Sequence, residues 1–352
     1  MRRKMRFSNK VLSIGCHCNP PKGGIAYVLK AYQNNIYSPF KFVANSKGNF
    51  FANIWYLIKA YIHCEWLYLT DKDIEIVHIH TASYISFRRS TLFVHQAKRH
   101  HKKVIIHIHG GGFKDFYHKT PKYVEKELHK TDAVVALSET WKNFFLGIGC
   151  NKVFVINNII EPPVFFPANS DGKFHFLFLG LITEAKGIFD LLEVAEQNLN
   201  VWKDKVIFHI GGRGKVEKLT SSIASKGLSD IVHYEGWVSG KKKQELLNRA
   251  NAFILPSYTE GIPISILEAM SYGLPIISTQ VGGIPDMIQE ESNGYLFVAG
   301  DLQAMTQSIN RVVNLSTLDY ESISTANKEF AKNCLPEMIS EKLEKIYDEI
   351  LS

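Results

Sequence analysis

Cysteine is scarce in this 352-residue chain: Cys16, Cys18, Cys64, Cys150 and Cys334, an odd number with no C-x-x-C pair. A disulfide framework is thereby excluded as the organising principle, and a reducing compartment such as the cytosol is expected. Long hydrophobic runs are also missing, since no stretch approaches the roughly 20 apolar residues of a membrane span. The opening Met1-Arg2-Arg3-Lys4-Met5-Arg6 has the charge of a signal peptide's first region. The apolar run that follows Ser8, Asn9 and Lys10, Val11 to Ile14, is too short for one, so a basic tail leading into a first strand is expected. A G-x-G-x-x-G turn after that strand is absent too, which argues against a dehydrogenase.

Hydrophobic residues make up 45% of the chain and the net charge is only +7, so disorder is excluded, and the length suits two domains. The charge is unevenly spread. Residues 1 to 163 carry 24 Lys/Arg against 10 Asp/Glu, net +14, whereas residues 164 to 352 carry 17 against 24, net −7. The two halves face different partners, or one of them faces an anionic surface.

Short β-branched runs alternate with segments of helical period. In the first half they are Val11–Ile14, Ile76–Ile79, Val104–Ile108, Ala133–Leu137 and Val153–Ile156. In the second half they are Phe174–Leu179, Val206–Ile210, Ile231–Tyr234, Ala252–Leu255 and Pro275–Ser278. This alternation predicts an α/β class with two doubly wound parallel sheets. Asn157 to Asp171, with Pro162, Pro163 and Pro167, keeps no period and reads as the linker. Phe50 to Leu69 is aromatic-rich and reads either as an amphipathic helix packed on the sheet or as an acceptor or membrane-surface helix.

Ligands of doubly wound sheets bind at the carboxyl ends of strands. After Leu255 comes Pro256-Ser257-Tyr258-Thr259-Glu260-Gly261-Ile262-Pro263-Ile264-Ser265-Ile266-Leu267-Glu268. Pro263 is expected at the first helical position, with Gly273 and Pro275 ending that helix. A helix N-terminus offers free N–H groups to a phosphate. Glu260 and Glu268, on the order of 10 Å apart, then suit hydroxylated groups at either end of a diphosphate. A nucleotide sugar has that layout.

E-G-I-P-I-S-I-L-E-A-M around Glu260 and Glu268 resembles the paired-glutamate motif of retaining glycosyltransferases of family 4, and the resemblance covers nearly the whole chain. It implies a GT-B fold: two Rossmann-like doubly wound domains facing each other across a cleft. The domains would be residues 1–163, which bind acceptor, and 164–334, which bind donor, with a C-terminal helix at about 335–352 packing back on the first. It also implies that Glu260 lies by the donor sugar and that Glu268 takes the ribose hydroxyls, with Gly261, Ile262, Pro263 and Ile264 between them at the diphosphate.

Further matches follow other strands. Gly180-Leu181 through Lys186-Gly187 resembles the family's Gly-Arg and Lys-Gly pattern, so Lys186 would reach the diphosphate, while Leu181 stands where the family commonly has Arg. Arg213, in Gly211-Gly212-Arg213-Gly214, is the expected substitute, with Gly212 in the turn bordering the nucleotide. Val238 of Gly236-Trp237-Val238 would border the base or pack in the core. Gly23 and Gly24 of Lys22-Gly23-Gly24-Ile25-Ala26 match the family's glycine loop. His109, ending Ile106-His107-Ile108-His109, matches its active-site histidine. Glu139 reads as a surface cap, and Asn293-Gly294-Tyr295-Leu296-Phe297 resembles the closing turn.

His78, His80, His107, His109, Cys16 and Cys18 invite a metal reading. They occur only as i,i+2 pairs without a carboxylate, so no metal and no other cofactor is expected beyond a UDP- or GDP-sugar donor. The expected partners are that donor, a saccharide acceptor attached to lipid, and an anionic membrane surface met by Met1 to Arg6, Arg88-Arg89 and Lys98 to Lys103. The expected location is the inner face of the cell membrane, with a role in surface polysaccharide assembly. Competing readings are a basic nucleic-acid binder, which lacks an aromatic-basic motif or a reading helix, a catalytically silent GT-B partner protein favoured by Leu181, and a sugar phosphorylase or epimerase. Donor, acceptor, linkage and oligomeric state have no sequence signature here.

Overall fold

A computed structural model describes residues 5–21, 23–47, 50–167 and 171–352. Lys22 of the glycine loop and Met1 to Lys4 of the basic tail lie outside the described residues. The chain forms two compact units, residues 1–161 with 333–352, and residues 162–332.

The first unit begins β1 (Val11–Cys16), α1 (Gly24–Asn35), β2 (Lys41–Ser46), α2 (Phe50–Thr70), β3 (Ile76–Thr81), α3 (Ile85–Arg99) and β4 (Lys103–Ile108). It continues α4 (Phe113–Lys119), α5 (Pro121–Leu128), β5 (Ala133–Ala136), α6 (Glu139–Gly147) and β6 (Val153–Val155). The sheet is entirely parallel, in the order β2-β1-β3-β4-β5-β6. Its strands are buried on both faces, as helices on either side of a parallel sheet require. On one face Ala60, Cys64 and Tyr68 of α2 and Phe93, Val94 and Ala97 of α3 pack over Leu12, Ile14 and Val77.

The second unit begins β7 (Phe174–Leu179), α7 (Ile188–Gln197), α8 (Leu199–Trp202), β8 (Val206–Gly211), α9 (Val216–Ser225), β9 (Val232–Gly236) and α10 (Gly240–Arg249). It continues β10 (Ala252–Leu255), α11 (Ile264–Ser271), β11 (Ile276–Thr279), β12 (Gly294–Phe297), α12 (Leu302–Val313) and α13 (Thr317–Lys332). Its parallel sheet runs β12-β11-β10-β7-β8-β9. The order reverses between β7 and β10, and that switch point is where such a sheet opens a crevice at its carboxyl edge.

The last helix, α14 (Pro336–Leu351), belongs to the first unit. The Tyr347 hydroxyl shares hydrogen bonds with His78 Nδ1 (2.6 Å) and the Tyr37 hydroxyl (2.5 Å), and the Tyr347 ring packs edge-on to Phe7. Since residues 333–352 hold two Lys and five Asp/Glu, this helix lowers the charge of the first unit from +14 to +11 and leaves the second at −4.

Three expectations need correction. β2 was not expected as a strand, and Gly294–Phe297 is the strand β12 rather than a turn. Both lie at sheet edges. The expected linker is fixed to the fold along much of its length: Ile159 and Ile160 are buried, Ile160 N donates to Cys334 O (3.0 Å), and Val164 N donates to the Tyr272 hydroxyl (3.1 Å).

Candidate functional site

β7 and β10 end side by side, and the loops that follow them touch. Gly187, after the short 3-10 turn Glu184–Lys186, has φ +63°, and a Cβ there would collide with the Pro256 carbonyl. Tyr258 N donates to Ala185 O (2.9 Å) across the same seam. Only glycine permits this approach. Its result is an ion pair between Lys186 and the buried Glu260, whose Oε1 also accepts from Ser257 Oγ (2.7 Å).

The backbone beneath Glu260 is braced from a third strand. Gly283, after β11, donates its N–H to Gly261 O (2.8 Å), and Gly282, at φ +59°, leaves no room for a Cβ beside the Glu260 carbonyl. Sequence reasoning missed this Gly282-Gly283 pair. Its only signal is its position just past a strand. α11 begins at Ile264, so Pro263 is the cap residue and not the first helical one; at ψ 120° it is still extended. Gly273 (φ +79°) follows the helix end, and its N–H reaches Met270 O (2.9 Å).

Glu268, also buried, sits on α11 and accepts from Lys243 Nζ of α10 (2.6 Å). Lys243 belongs to no motif and was not singled out from sequence. Two carboxylate–ammonium pairs therefore flank the loop Gly261-Ile262-Pro263 and the α11 N-terminus, whose first N–H groups have no partner within the helix.

Gly212, after β8, packs on the Gly180 carbonyl, and its N–H reaches Gly236 O (2.8 Å). Val238 is buried against Gly211. The Arg213 guanidinium lies 4.8 Å from the centre of the Trp237 ring, a cation–π contact on the loops after β8 and β9. Among the described residues none of its contacts joins it to Lys186 or Glu260. Leu181 is exposed. Glu184 pairs with Lys215 (2.7 Å) and Lys218 (2.9 Å), tying the Lys186 turn to the start of α9, and these lysines hold its carboxyl well below the usual range, at about 2.

In the first unit Gly23 caps α1 at φ +99° and Gly24 opens it. His109 follows β4. Its Nε2 is 3.0 Å from His80 Nδ1, Asn158 hydrogen-bonds its side chain, and its ring stacks on His107 at 4.1 Å. Burial lowers its pKa to about 4 and that of His78 to about 3, so both are neutral imidazoles near pH 7.

His78, His80 and His107 bring ligand atoms within 4.8 Å of one another, a cross-strand cluster that the i,i+2 spacing did not disclose. Their rings overlap nearly face to face, at interplanar angles of 16° to 34°. They form a buried stack.

Two family models divide this chain between them. Residues 18–162 match Glycosyltransferase Family 4 and residues 164–334 match Glycosyl transferases group 1. The chain belongs to the family 4 glycosyltransferases. Relatives within this family include the amylovoran biosynthesis glycosyltransferase AmsK of Erwinia amylovora, 27% identical over 68% of this chain and 61% of that protein. The lipopolysaccharide 1,6-galactosyltransferase of Salmonella typhimurium is 30% identical over 48% of each chain. The matched part thus spans between about half and three fifths of these curated relatives.

Solved structures place the family 4 chain in the GT-B fold. The lipopolysaccharide outer core galactosyltransferase WaaB superposes with a TM-score of 0.68 at 20% identity over 97% of this chain and 99% of that one. Anabaena HepE, solved with UDP-glucose, superposes with a TM-score of 0.72 at 15% identity over the same shares.

Proposed function

We propose that this chain is a retaining glycosyltransferase that moves a sugar from a nucleoside diphosphate sugar to a hydroxyl of a lipid-linked saccharide during surface-polysaccharide assembly. The observation that carries this reading is the Lys186–Glu260 pair at the switch point between β7 and β10, beside the α11 N-terminus. Breaking the sugar–phosphate bond leaves negative charge on the diphosphate, and an ammonium together with unpaired helix N–H groups stabilises that charge. Glu260 holds the ammonium in position and meets sugar hydroxyls, while Glu268, paired with Lys243, takes the ribose hydroxyls. No protein nucleophile is required. The leaving phosphate oxygen accepts the proton of the acceptor on the same face of the sugar, which retains the anomeric configuration.

HepE was solved with UDP-glucose, and the relatives carry names of polysaccharide and lipopolysaccharide synthesis. The donor is accordingly a UDP- or GDP-sugar, and the charge supplied by Lys186 makes transfer independent of a divalent cation. The basic first unit, at net +11, meets an anionic membrane surface on the cytoplasmic side. Its basic run from Lys98 to Lys103 is partly committed within the fold, because Lys98 pairs with Asp132 (2.5 Å) and Lys102 donates to Ile74 O (2.7 Å).

A thermal-shift panel of nucleotide sugars, followed by transfer to lipid-linked saccharides in the presence of chelator, tests the reading. Stabilisation by one donor and a product of unchanged anomeric configuration are expected. Donor binding without transfer to any acceptor would favour the catalytically silent alternative, for which the exposed Leu181 is the specific observation.

A further inference from the structure

α2 turns one face inward and leaves another bare. Ala60, Cys64 and Tyr68 are buried in the core, with Leu57, Tyr61 and Leu67 packed against it. Ile54, Trp55, Ile58, Ile62, Trp66 and Leu69 stand exposed, Trp55 at 66% and Ile62 at 64%. At about 100° per residue these six fall within an arc of roughly 120° and run for about 22 Å along the helix. Exposed apolar residues are ordinary when scattered singly, but a continuous stripe with two tryptophans marks an interaction surface.

The rim of the stripe is basic. Lys59 borders one edge, and Arg99 of α3, donating to the Tyr61 hydroxyl, stands at the other. Glu65 is the one acidic residue of the helix, and it is engaged by His100 (2.7 Å), Gln96 (2.8 Å) and, at 4.0 Å, Arg99, which stays 62% exposed in its side chain. No helix among the described residues is long and apolar enough to cross a membrane. A stripe of Trp and aliphatic side chains flanked by basic groups is the composition of a helix lying in the plane of a lipid interface, where indole rings settle at the headgroups and long basic side chains reach the phosphates.

We propose that α2 is an interfacial helix that seats the first unit on an anionic bilayer, with the Ile54–Leu69 stripe sunk among the lipids and Lys59 and Arg99 at the phosphates. This rests on the reading of the first unit as membrane-facing and deepens it, since attachment then has an apolar part that salt does not screen. Charge decides against a second copy as occupant, because pairing two stripes would bring two units of net +11 together.

The test sediments the full chain with phosphatidylcholine vesicles, with and without phosphatidylglycerol, at low and high salt. Binding to the anionic vesicles that survives in part at high salt is expected. The variant Ile58→Glu/Ile62→Glu should lose that part by on the order of tenfold or more in partition coefficient, with an unchanged melting temperature. Salt-labile binding that the variant retains in full overturns the role of α2 and leaves the basic-surface reading standing. No binding to any vesicle overturns both. Self-association that the same variant abolishes, without vesicle binding, makes the stripe a contact between copies and overturns the proposal. Quenching of tryptophan fluorescence by brominated lipid, removed by Trp55→Phe/Trp66→Phe, gives a second readout on the wild-type fold. Transfer to a soluble acceptor should be unaffected by Ile58→Glu/Ile62→Glu, and it reports separately on the glycosyltransferase reading.

Discussion

Lys186 and Glu260, 74 residues apart in sequence, meet as an ion pair because Gly187 lets the loop after β7 press against Pro256 after β10. Glu260 is buried, so the pair is poorly screened, and removing either member has separable effects on stability and on turnover.

Lys186→Ala leaves the Glu260 carboxylate buried with Ser257 as its one side-chain partner among the described residues. A loss of about 2 kcal/mol is expected, below the full value for a buried pair because Lys186 is partly solvated. Glu260→Gln keeps the shape and should cost less stability, yet lower kcat by about a hundredfold or more. Urea unfolding and single-donor kinetics separate the two, and wild-type kinetics for Glu260→Gln would remove Glu260 from the site.

Glu268→Ala should mainly raise donor KM, by about tenfold, with kcat little changed, because ribose contacts are made equally in the ground and transition states. Lys243→Ala, which removes one partner of Glu268, should shift KM in the same direction. A 2′-deoxy nucleotide sugar should distinguish wild type from Glu268→Ala poorly if the ribose is not its target.

Gly187→Ala forces a side chain to φ +63° against a backbone carbonyl. A loss of about 2 kcal/mol or more is expected, together with loss of thermal stabilisation by the donor. Gly227→Ala, at a similar φ but with open space around it, is the control for strain alone.

Acid should destabilise the first unit early. His109 and His78 have folded-state pKa values of about 4 and about 3, below the ordinary 6.5, and burial also pushes His80 and His107 well below it. Between pH 6.5 and 4 the unfolded chain therefore binds protons that the folded chain refuses. Stability falls as pH drops through that window, by at most about 1.4 kcal/mol per pH unit for each imidazole. Depressed carboxylates such as Glu184 lose their contribution only below their ordinary pKa near 4.5. Urea midpoints between pH 7 and pH 4.5 measure the slope, and His107→Asn should flatten it.

Tyr347→Phe deletes the hydroxyl shared by His78 and Tyr37 and should cost about 1–3 kcal/mol. A thermal melt that is unchanged would show that this hydroxyl contributes nothing measurable to the seating of α14.

Much of this was legible in the chain because it is local. The ten β-branched runs announced ten strands, and the Glu260 to Gly273 segment announced a loop, a capped helix and its end through Pro263 and Gly273. β2 escaped because its apolar run is only Phe42-Val43-Ala44, and β12 because the Asn293-Gly294 at its start reads as a turn. Lys243 escaped because a partner chosen across two helices follows no spacing rule. The histidines of β3 and β4 were grouped from sequence, but their stacking was not, because β3–β4 register, with His80 opposite His107, is a property of pairing and not of either strand.

By itself, then, the sequence determined two parallel α/β sheets, the glycine and proline punctuation of the loops after β7, β8 and β10, and a basic half beside an acidic one. Local propensity and hydrophobic period suffice for these. Only the tertiary structure decided that Lys186 pairs with Glu260 and Lys243 with Glu268, and that the aromatic run of α2 divides into a buried face and a bare one. Each of these depends on which surfaces meet after the chain has folded, and burial and ion pairing arise from that meeting alone.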